Sequence, residues 1–124
     1  SIEAWMNDRA SRRYRKEILD AMEYINANMN RKVTLKEIAD SIGMNESSLS
    51  RMFKSETGVN LNYYINEKKM KKAMELLSSE SSMIKDVAAA IGMDDQLYFN
   101  KVFKKYYNVS PSEFKKKLHP DTEE

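Results

Sequence analysis

A short segment in the first half of the chain concentrates side chains that can donate hydrogen bonds or carry positive charge. A helix that starts near Asn45 or Glu46 and ends before Gly58 would expose several of them. They are Ser47, Ser48, Ser50, Arg51 and Lys54. Such groups suit a polyanionic partner, because they can bind phosphate oxygens and base edges. A second basic segment, residues 101–105, lies in the other half, so two binding segments are predicted.

The two segments belong to an internal repeat. Residues 35–44 return as residues 84–93, and the glycine near the end of the first stretch recurs 49 positions later. The likeness continues, shifted by one residue, from residues 51–54 to residues 101–104. A repeat of this length indicates that one helical unit was built twice. Two copies of a unit that ends in a basic amphipathic helix suggest a protein that binds two successive segments of a periodic polymer. Duplex DNA is the candidate for that polymer.

Composition limits the remaining classes of protein. The 124 residues are 41% hydrophobic and 32% charged, which suits one domain or two small subdomains that share a helix. Net charge is only +2, but basic residues outnumber acidic ones by five within residues 31–118. Cysteine is absent, which fits a reducing compartment. Because no apolar run or signal-peptide pattern is present, we expect a cytoplasmic protein with no membrane partner.

Apolar periodicity and capping residues predict an all-α fold of seven helices with no strand. The first helix is expected from about residue 11 to residue 28, and the fourth from residue 61 to about residue 79. Thr34 with Glu37, and Ser110 with Glu113, form capping boxes that predict two helix starts. Gly43 is expected to end the second helix in a left-handed conformation. A helix, a glycine turn and a second helix make a helix-turn-helix.

The predicted domain organisation follows from this order of helices. Two helix-turn-helix subdomains joined by a long central helix are expected. The ranges are a linker or the tail of a preceding domain at 1–13, a first subdomain at 14–60, a connecting helix at 61–79, a second subdomain at 80–118 and an acidic tail at 119–124. The chain begins with Ser1 rather than methionine, so we expect it to be a piece of a longer protein.

Many spaced positions resemble a known family over roughly residues 14–118. They are Ala39, Gly43, Leu49, Phe53, Gly58, Tyr64, Ala73, Leu77, Ala88, Gly92, Tyr98, Phe99, Phe103, Ser110 and Pro111. Their order is similar to the DNA-binding domain of the AraC/XylS transcription regulators. The chain departs from the family pattern at Lys69, Met93, Leu97 and Asn108. Leu97 puts an apolar group near the start of the second reading helix, where the family commonly has a small hydroxyl residue.

The resemblance implies a sequence-specific DNA-binding domain and a set of contacting residues. Candidates for reading bases are Ser47, Ser50, Arg51, Gln96, Asn100 and Lys101. Candidates for phosphate contacts are Ser48, Lys54, Asn62, Lys104 and Ser112. A central helix of 19 residues would be about 28 Å long. Such a spacer could hold two reading helices about one ~34 Å turn of DNA apart, over one asymmetric site of about 15–20 base pairs.

The same residues argue against some functions and leave one alternative function open. No enzyme is expected, because the chain lacks cysteine and a glycine-rich phosphate loop and has a single histidine, His119, expected to be solvated. That lone histidine predicts no metal site, and no cofactor is expected. The alternative function is a protein-interaction module that contacts RNA polymerase or a partner regulator. The resemblance also implies a sensory or receiver domain in the full-length protein.

Overall fold

A computed structural model describes residues 14–120, and this part of the chain contains seven α-helices and no strand, as predicted. The helices are α1 (Lys16–Ala27), α2 (Leu35–Ile42), α3 (Glu46–Thr57), α4 (Leu61–Leu77), α5 (Ile84–Ala90), α6 (Gln96–Tyr107) and α7 (Pro111–Leu118). Within the described range, no helix is long and apolar enough to cross a membrane.

The chain divides into two compact units. Of the described residues, the first unit consists of 14–27 together with Thr34–Leu61, and the second of Asn28–Val33 together with 62–120. The loop that follows α1 therefore belongs to the second unit, which local sequence patterns do not reveal. The linker predicted at residues 1–13 lies outside the described residues. So does most of the predicted acidic tail, residues 121–124.

The first unit is built on apolar faces of three short helices. Ile18, Ala21 and Ile25 on α1 are fully buried, because their three- and four-residue spacing puts them on one face. Leu49 and Phe53 on α3 are also fully buried, as predicted for core residues. The first helix was predicted to span residues 11–28; in the structure it ends at Ala27 and starts no earlier than Lys16 within the described residues.

A capping box starts α2, as the sequence predicts. The Glu37 backbone N–H donates to Thr34 Oγ1 at 3.2 Å, and the Thr34 backbone N–H donates to Glu37 Oε1 at 2.9 Å. The other carboxylate oxygen of Glu37 accepts a 2.8 Å hydrogen bond from the Tyr24 hydroxyl. The cap therefore also ties α2 to α1. At the other end of α2, Gly43 has the expected left-handed conformation, with φ of 73°.

The core of the second unit is richer in aromatic rings. Phe99 and Phe103 are fully buried, as predicted, and their ring centroids lie 5.8 Å apart. Phe103 also contacts Phe114 of α7 edge-on at 5.7 Å. Apolar residues from α4, from α5 and from the position directly after α5 also belong to this core: Met70, Ala73, Leu77, Val87, Ala88 and Ile91. Because α6 contributes rings to the centre of the core, its orientation is fixed by packing.

Basic residues also cluster in the sequence at residues 68–72 and 115–117, and one lysine of each cluster is buried in the second unit. Lys69 is only 3% exposed, and its ammonium donates to Arg31 O at 2.7 Å and Ile91 O at 2.6 Å. Burial, with a smaller contribution from the Arg31 charge, lowers the pKa of Lys69. Lys115 is 5% exposed and donates to the Ser82 carbonyl. These two side chains join loops to helices, so they add nothing to a basic surface.

Two further expectations need correction. The connecting helix α4 ends at Leu77 rather than Ser79, so its 17 residues span about 26 Å. His119 is half-buried rather than solvated, and its Nε2 lies 3.0 Å from the Ser78 carbonyl oxygen. The serine-rich segment after α4 therefore makes contacts that its composition does not indicate.

Candidate nucleic-acid interface

Helix α3 of the first unit is held at both ends and along one face. The side chain of Asn45 accepts a 2.8 Å hydrogen bond from the Ser48 backbone N–H, which starts the helix. Gly58 ends it in a left-handed conformation with φ of 83°. Leu49 and Phe53 anchor its inner face in the core. The start, the end and the rotation of α3 are therefore fixed, and so is the direction in which its outer face points.

The outer face of α3 carries three of the predicted contact residues. Ser47, Arg51 and Lys54 are exposed and follow an i, i+4, i+7 spacing, which places them on one stripe. The sequence also predicted exposure for Ser48 and Ser50, but both are half-buried on the flanks of the helix. Ser50 still lines one shallow depression with Ser47 and Arg51.

Helix α6 of the second unit has the same arrangement. The side chain of Asp95 accepts from the backbone N–H groups of Leu97 at 3.0 Å and Tyr98 at 3.3 Å. Asn108 ends α6 with φ of 64°, in the left-handed region where Gly58 ends α3. Asparagine tolerates this region better than most residues, which explains how it replaces glycine there. The second unit therefore repeats the start, length and end of the first unit's helix.

The outer face of α6 differs from that of α3 in chemistry. Its stripe consists of Leu97, Lys101 and Lys104, all exposed and at the same i, i+4, i+7 spacing. Gln96 is exposed beside this stripe. Asn100 is half-buried, and its Oδ1 is buried with no hydrogen-bond donor among the described residues. The side chains that face outward most directly are thus one apolar group and two cations.

The two helices also differ in charge. Helix α3 balances Arg51 and Lys54 against Glu46 and Glu56, whereas the cations of α6 have no acidic residue on the same helix. Glu56 is held by Arg15, whose Nε lies 3.3 Å from its Oε2. A polyanion would therefore be attracted more strongly to α6, while α3 offers more hydrogen-bonding groups.

The remaining candidates lie at the starts of the helices that follow each helix-turn-helix. Asn62 and Ser112 are exposed in the first turns of α4 and α7. Asn62 also lines a cleft of about 500 Å³ in the second unit, together with Asn66 and Tyr98. The sequence patterns did not reveal this cleft. In residues 14–120, no group of three or more histidine, aspartate or glutamate side chains is arranged to hold a metal ion.

Comparison with known sequences identifies relatives with this arrangement. A family profile described as a helix-turn-helix domain matches residues 38–117. The lactose operon transcription activator of Staphylococcus xylosus is 31% identical over 99 residues, which make up 80% of this chain and 36% of that protein. The chain thus spans little more than a third of the length of that relative.

Two solved structures share the fold. The C-terminal domain of AraT, a response regulator from Geobacillus stearothermophilus, is 32% identical, with a TM-score of 0.82 over 85% of this chain and 88% of that chain. The DNA-binding domain of AdpA, a transcriptional factor solved in complex with a target DNA, has a TM-score of 0.77 at 15% identity, covering 87% and 100% of the two chains.

The profile matches well over half of the chain, and the duplicated helix-turn-helix agrees with the resemblance found in its residues. The chain belongs to the AraC/XylS family and is a helix-turn-helix DNA-binding domain of that family of transcriptional regulators.

Proposed function

We propose that this domain reads one asymmetric duplex site of about 15–20 base pairs, with α3 and α6 in two successive major grooves. The supporting observation is that α6 repeats the geometry of α3: three exposed residues at i, i+4 and i+7 on a helix of the same length, capped in the same way. A major groove about 12 Å wide admits one such helix. Successive grooves on one face of the duplex lie about 34 Å apart.

Base reading would depend on the outward stripes and their flanks. Arg51 is the strongest candidate, because a guanidinium can donate two hydrogen bonds to guanine O6 and N7. Ser47 and Ser50 line the same depression and could bond to a base edge or a phosphate. In the second unit, Lys101 suits guanine, while the carboxamides of Gln96 and Asn100 suit adenine. Asn100 would have to turn its buried Oδ1 outward to make that contact.

Phosphate contacts would fix the position of α3 and α6 along the duplex. Lys54 and Lys104 lie toward the ends of their helices, where a long cationic side chain can extend to the DNA backbone. Ser48, Asn62 and Ser112 lie in the first turns of α3, α4 and α7, and the positive end of a helix dipole favours an anion such as a phosphate there. These contacts position the protein without reading the sequence.

Selection of bound duplexes from a random library tests the proposed function. We expect two enriched blocks about 10 base pairs apart, with different sequences because the two stripes differ. Footprinting on the selected duplex should show protection over both blocks by a single copy of the domain. Enrichment of one block alone would contradict the two-groove proposal. No enrichment, with weak binding that is indifferent to sequence, would favour the protein-interaction alternative.

Replacing Lys104 with alanine should weaken binding mainly through its dependence on salt. Each phosphate that a protein neutralises releases condensed counterions and contributes about 0.9 to the slope of log affinity against log salt concentration. We therefore expect Lys104→Ala to reduce that slope by about one unit. The measurement is a titration of the selected duplex at four or more salt concentrations.

The matched control for this titration is Lys16→Ala. Lys16 lies on α1, is highly exposed and forms an ion pair with Asp20 at 3.0 Å. Its replacement changes the net charge by the same amount without touching α3 or α6. An equal change in slope for the two variants would mean that Lys104 contributes only to the overall electrostatic field of the protein. An unchanged slope for Lys104→Ala would remove Lys104 as a phosphate contact.

We further propose that the full-length protein is a cytoplasmic regulator in which a sensory or receiver domain controls this one. The support is that the chain covers only 36% of the lactose activator and that the AraT relative is a domain of a response regulator. Because the lactose relative is named as an activator, RNA polymerase is a further candidate partner. Transcription reconstituted with purified polymerase on a promoter that carries the selected site would test that contact.

A further inference from the structure

Leu97 is an unusually exposed apolar residue. Its exposed fraction is 79%, the highest among the exposed large hydrophobic side chains of residues 14–120. Single exposed apolar residues are common on proteins and need no functional explanation by themselves. The position of Leu97 on α6, however, is not that of an ordinary surface residue.

The caps and the core fix the direction in which Leu97 points. The side chain of Asp95 binds the Leu97 backbone N–H at 3.0 Å, so the first turn of α6 is held in place. Phe99 and Phe103 are fully buried on the inner face of the helix. At 100° per residue, Leu97 lies on the opposite side, one turn before Lys101. Leu97 therefore belongs to the face that is proposed to enter the groove.

The internal repeat shows that this position carries different chemistry in the two units. Counting from the cap, Leu97 occupies the place that Ser47 has on α3, and each is followed four residues later by a cation, Lys101 or Arg51. A serine hydroxyl can bond to a base edge or a phosphate, whereas a leucine side chain has neither a donor nor an acceptor. The two helices thus cannot read the same base in the same way at this place.

We propose that Leu97 recognises a thymine through its C5-methyl group in the major groove. That methyl is the largest apolar group that a base pair presents there, whereas N7, O6, O4, N6 and N4 are hydrogen-bond donors or acceptors. Leucine against a polar edge would remove water from it without replacing the lost hydrogen bond, which is unfavourable. Contact with a methyl instead buries apolar surface on both partners. This inference rests on the proposed function, in which α6 lies in the major groove.

The test replaces each thymine of the α6 half-site, one at a time, with uracil. Uracil keeps the base pair and the O4 acceptor and lacks only the methyl group. We expect one position at which this change weakens binding of the unaltered domain about four-fold, the effect of one methyl-sized group left unburied. With Leu97→Ser, thymine and uracil at that position should bind equally well. Fluorescence anisotropy with the selected duplex and its uracil-containing versions gives the affinities.

Leu118→Ser is the matched control. Leu118 is also an exposed leucine, 44% exposed, but it lies at the end of α7. This variant should distinguish thymine from uracil as the unaltered domain does. The inference is overturned if no uracil position weakens binding, or if Leu97→Ser retains the full thymine preference. Failure of the proposed function has a different signature: Lys101→Ala would then leave both affinity and salt dependence unchanged, because α6 would not contact DNA.

Discussion

Gly92→Ala should lower the free energy of unfolding by about 2–5 kcal/mol. Gly92 has φ of 78°, a left-handed conformation that costs other residues about 1–2 kcal/mol. In addition, an added Cβ would lie 2.5 Å from the Arg31 Cα and 2.6 Å from its carbonyl carbon. Backbone atoms cannot rotate away as a flexible side chain can, so the loop must move, at a further cost of about 1–3 kcal/mol. That movement would also disturb the Arg31 carbonyl that accepts a hydrogen bond from Lys69.

The repeat provides a matched control for this prediction. Gly43 occupies the equivalent place in the first unit, with φ of 73°, but an added Cβ there would meet nothing within 4 Å. Gly43→Ala should therefore lower the free energy of unfolding only by the cost of the left-handed conformation, about 1–2 kcal/mol. Urea unfolding followed by circular dichroism gives both values. Equal losses for the two variants would contradict the close approach of residue 92 to Arg31.

Arg51→Ala should weaken binding to the selected duplex about 5- to 150-fold, which corresponds to about 1–3 kcal/mol of binding free energy. A bidentate contact with guanine contributes this much discrimination against other bases. Binding to a scrambled duplex should fall far less, because only one of many cations is lost. The measurement compares both duplexes at one salt concentration by fluorescence anisotropy. Arg51 is exposed on α3, so the substitution should leave the unfolding free energy almost unchanged.

Arg51→Lys separates charge from geometry. Lysine keeps the positive charge but replaces the planar fork of donors with a single ammonium group. We expect this variant to bind scrambled duplex normally while losing much of the preference for the selected sequence. Equal loss of affinity by Arg51→Ala on selected and scrambled duplexes would remove Arg51 as a base reader and leave it as a general electrostatic contact.

Local chemistry explains which elements could be predicted from the sequence. The starts of α2 and α7 were predicted because a capping box involves residues only three positions apart, such as Thr34 and Glu37. The end of α2 at Gly43 likewise depends on the conformational freedom of one residue. The internal repeat, together with the resemblance of spaced positions to a known family, was sufficient to predict the helix-turn-helix pair. Helical periodicity predicted the outward residues of α3, whereas the family resemblance implied the candidate contact residues of α6.

Contacts between distant residues account for the predictions that were incomplete or wrong. Lys69 and Lys115 stand among other lysines in the sequence, but both are buried, and the carbonyl groups that they bind lie 22 to 38 residues away in the sequence. The half-burial of Ser48 and Ser50 depends on how α3 is rotated against its core, which a short polar stretch does not specify. Hydrogen-bond partners that are remote in sequence can be identified only in three dimensions.

The sequence by itself determined the class of fold, the duplication and the residue types of the two outward stripes, because capping and periodicity act within a few residues. Only the tertiary structure decided which lysines reach solvent, why Gly92 is more constrained than Gly43, and that Leu97 projects farther into solvent than Asn100. Those properties depend on which backbone or side chain lies nearby in space, and the internal repeat makes the difference visible because nearly the same segment has two different surroundings.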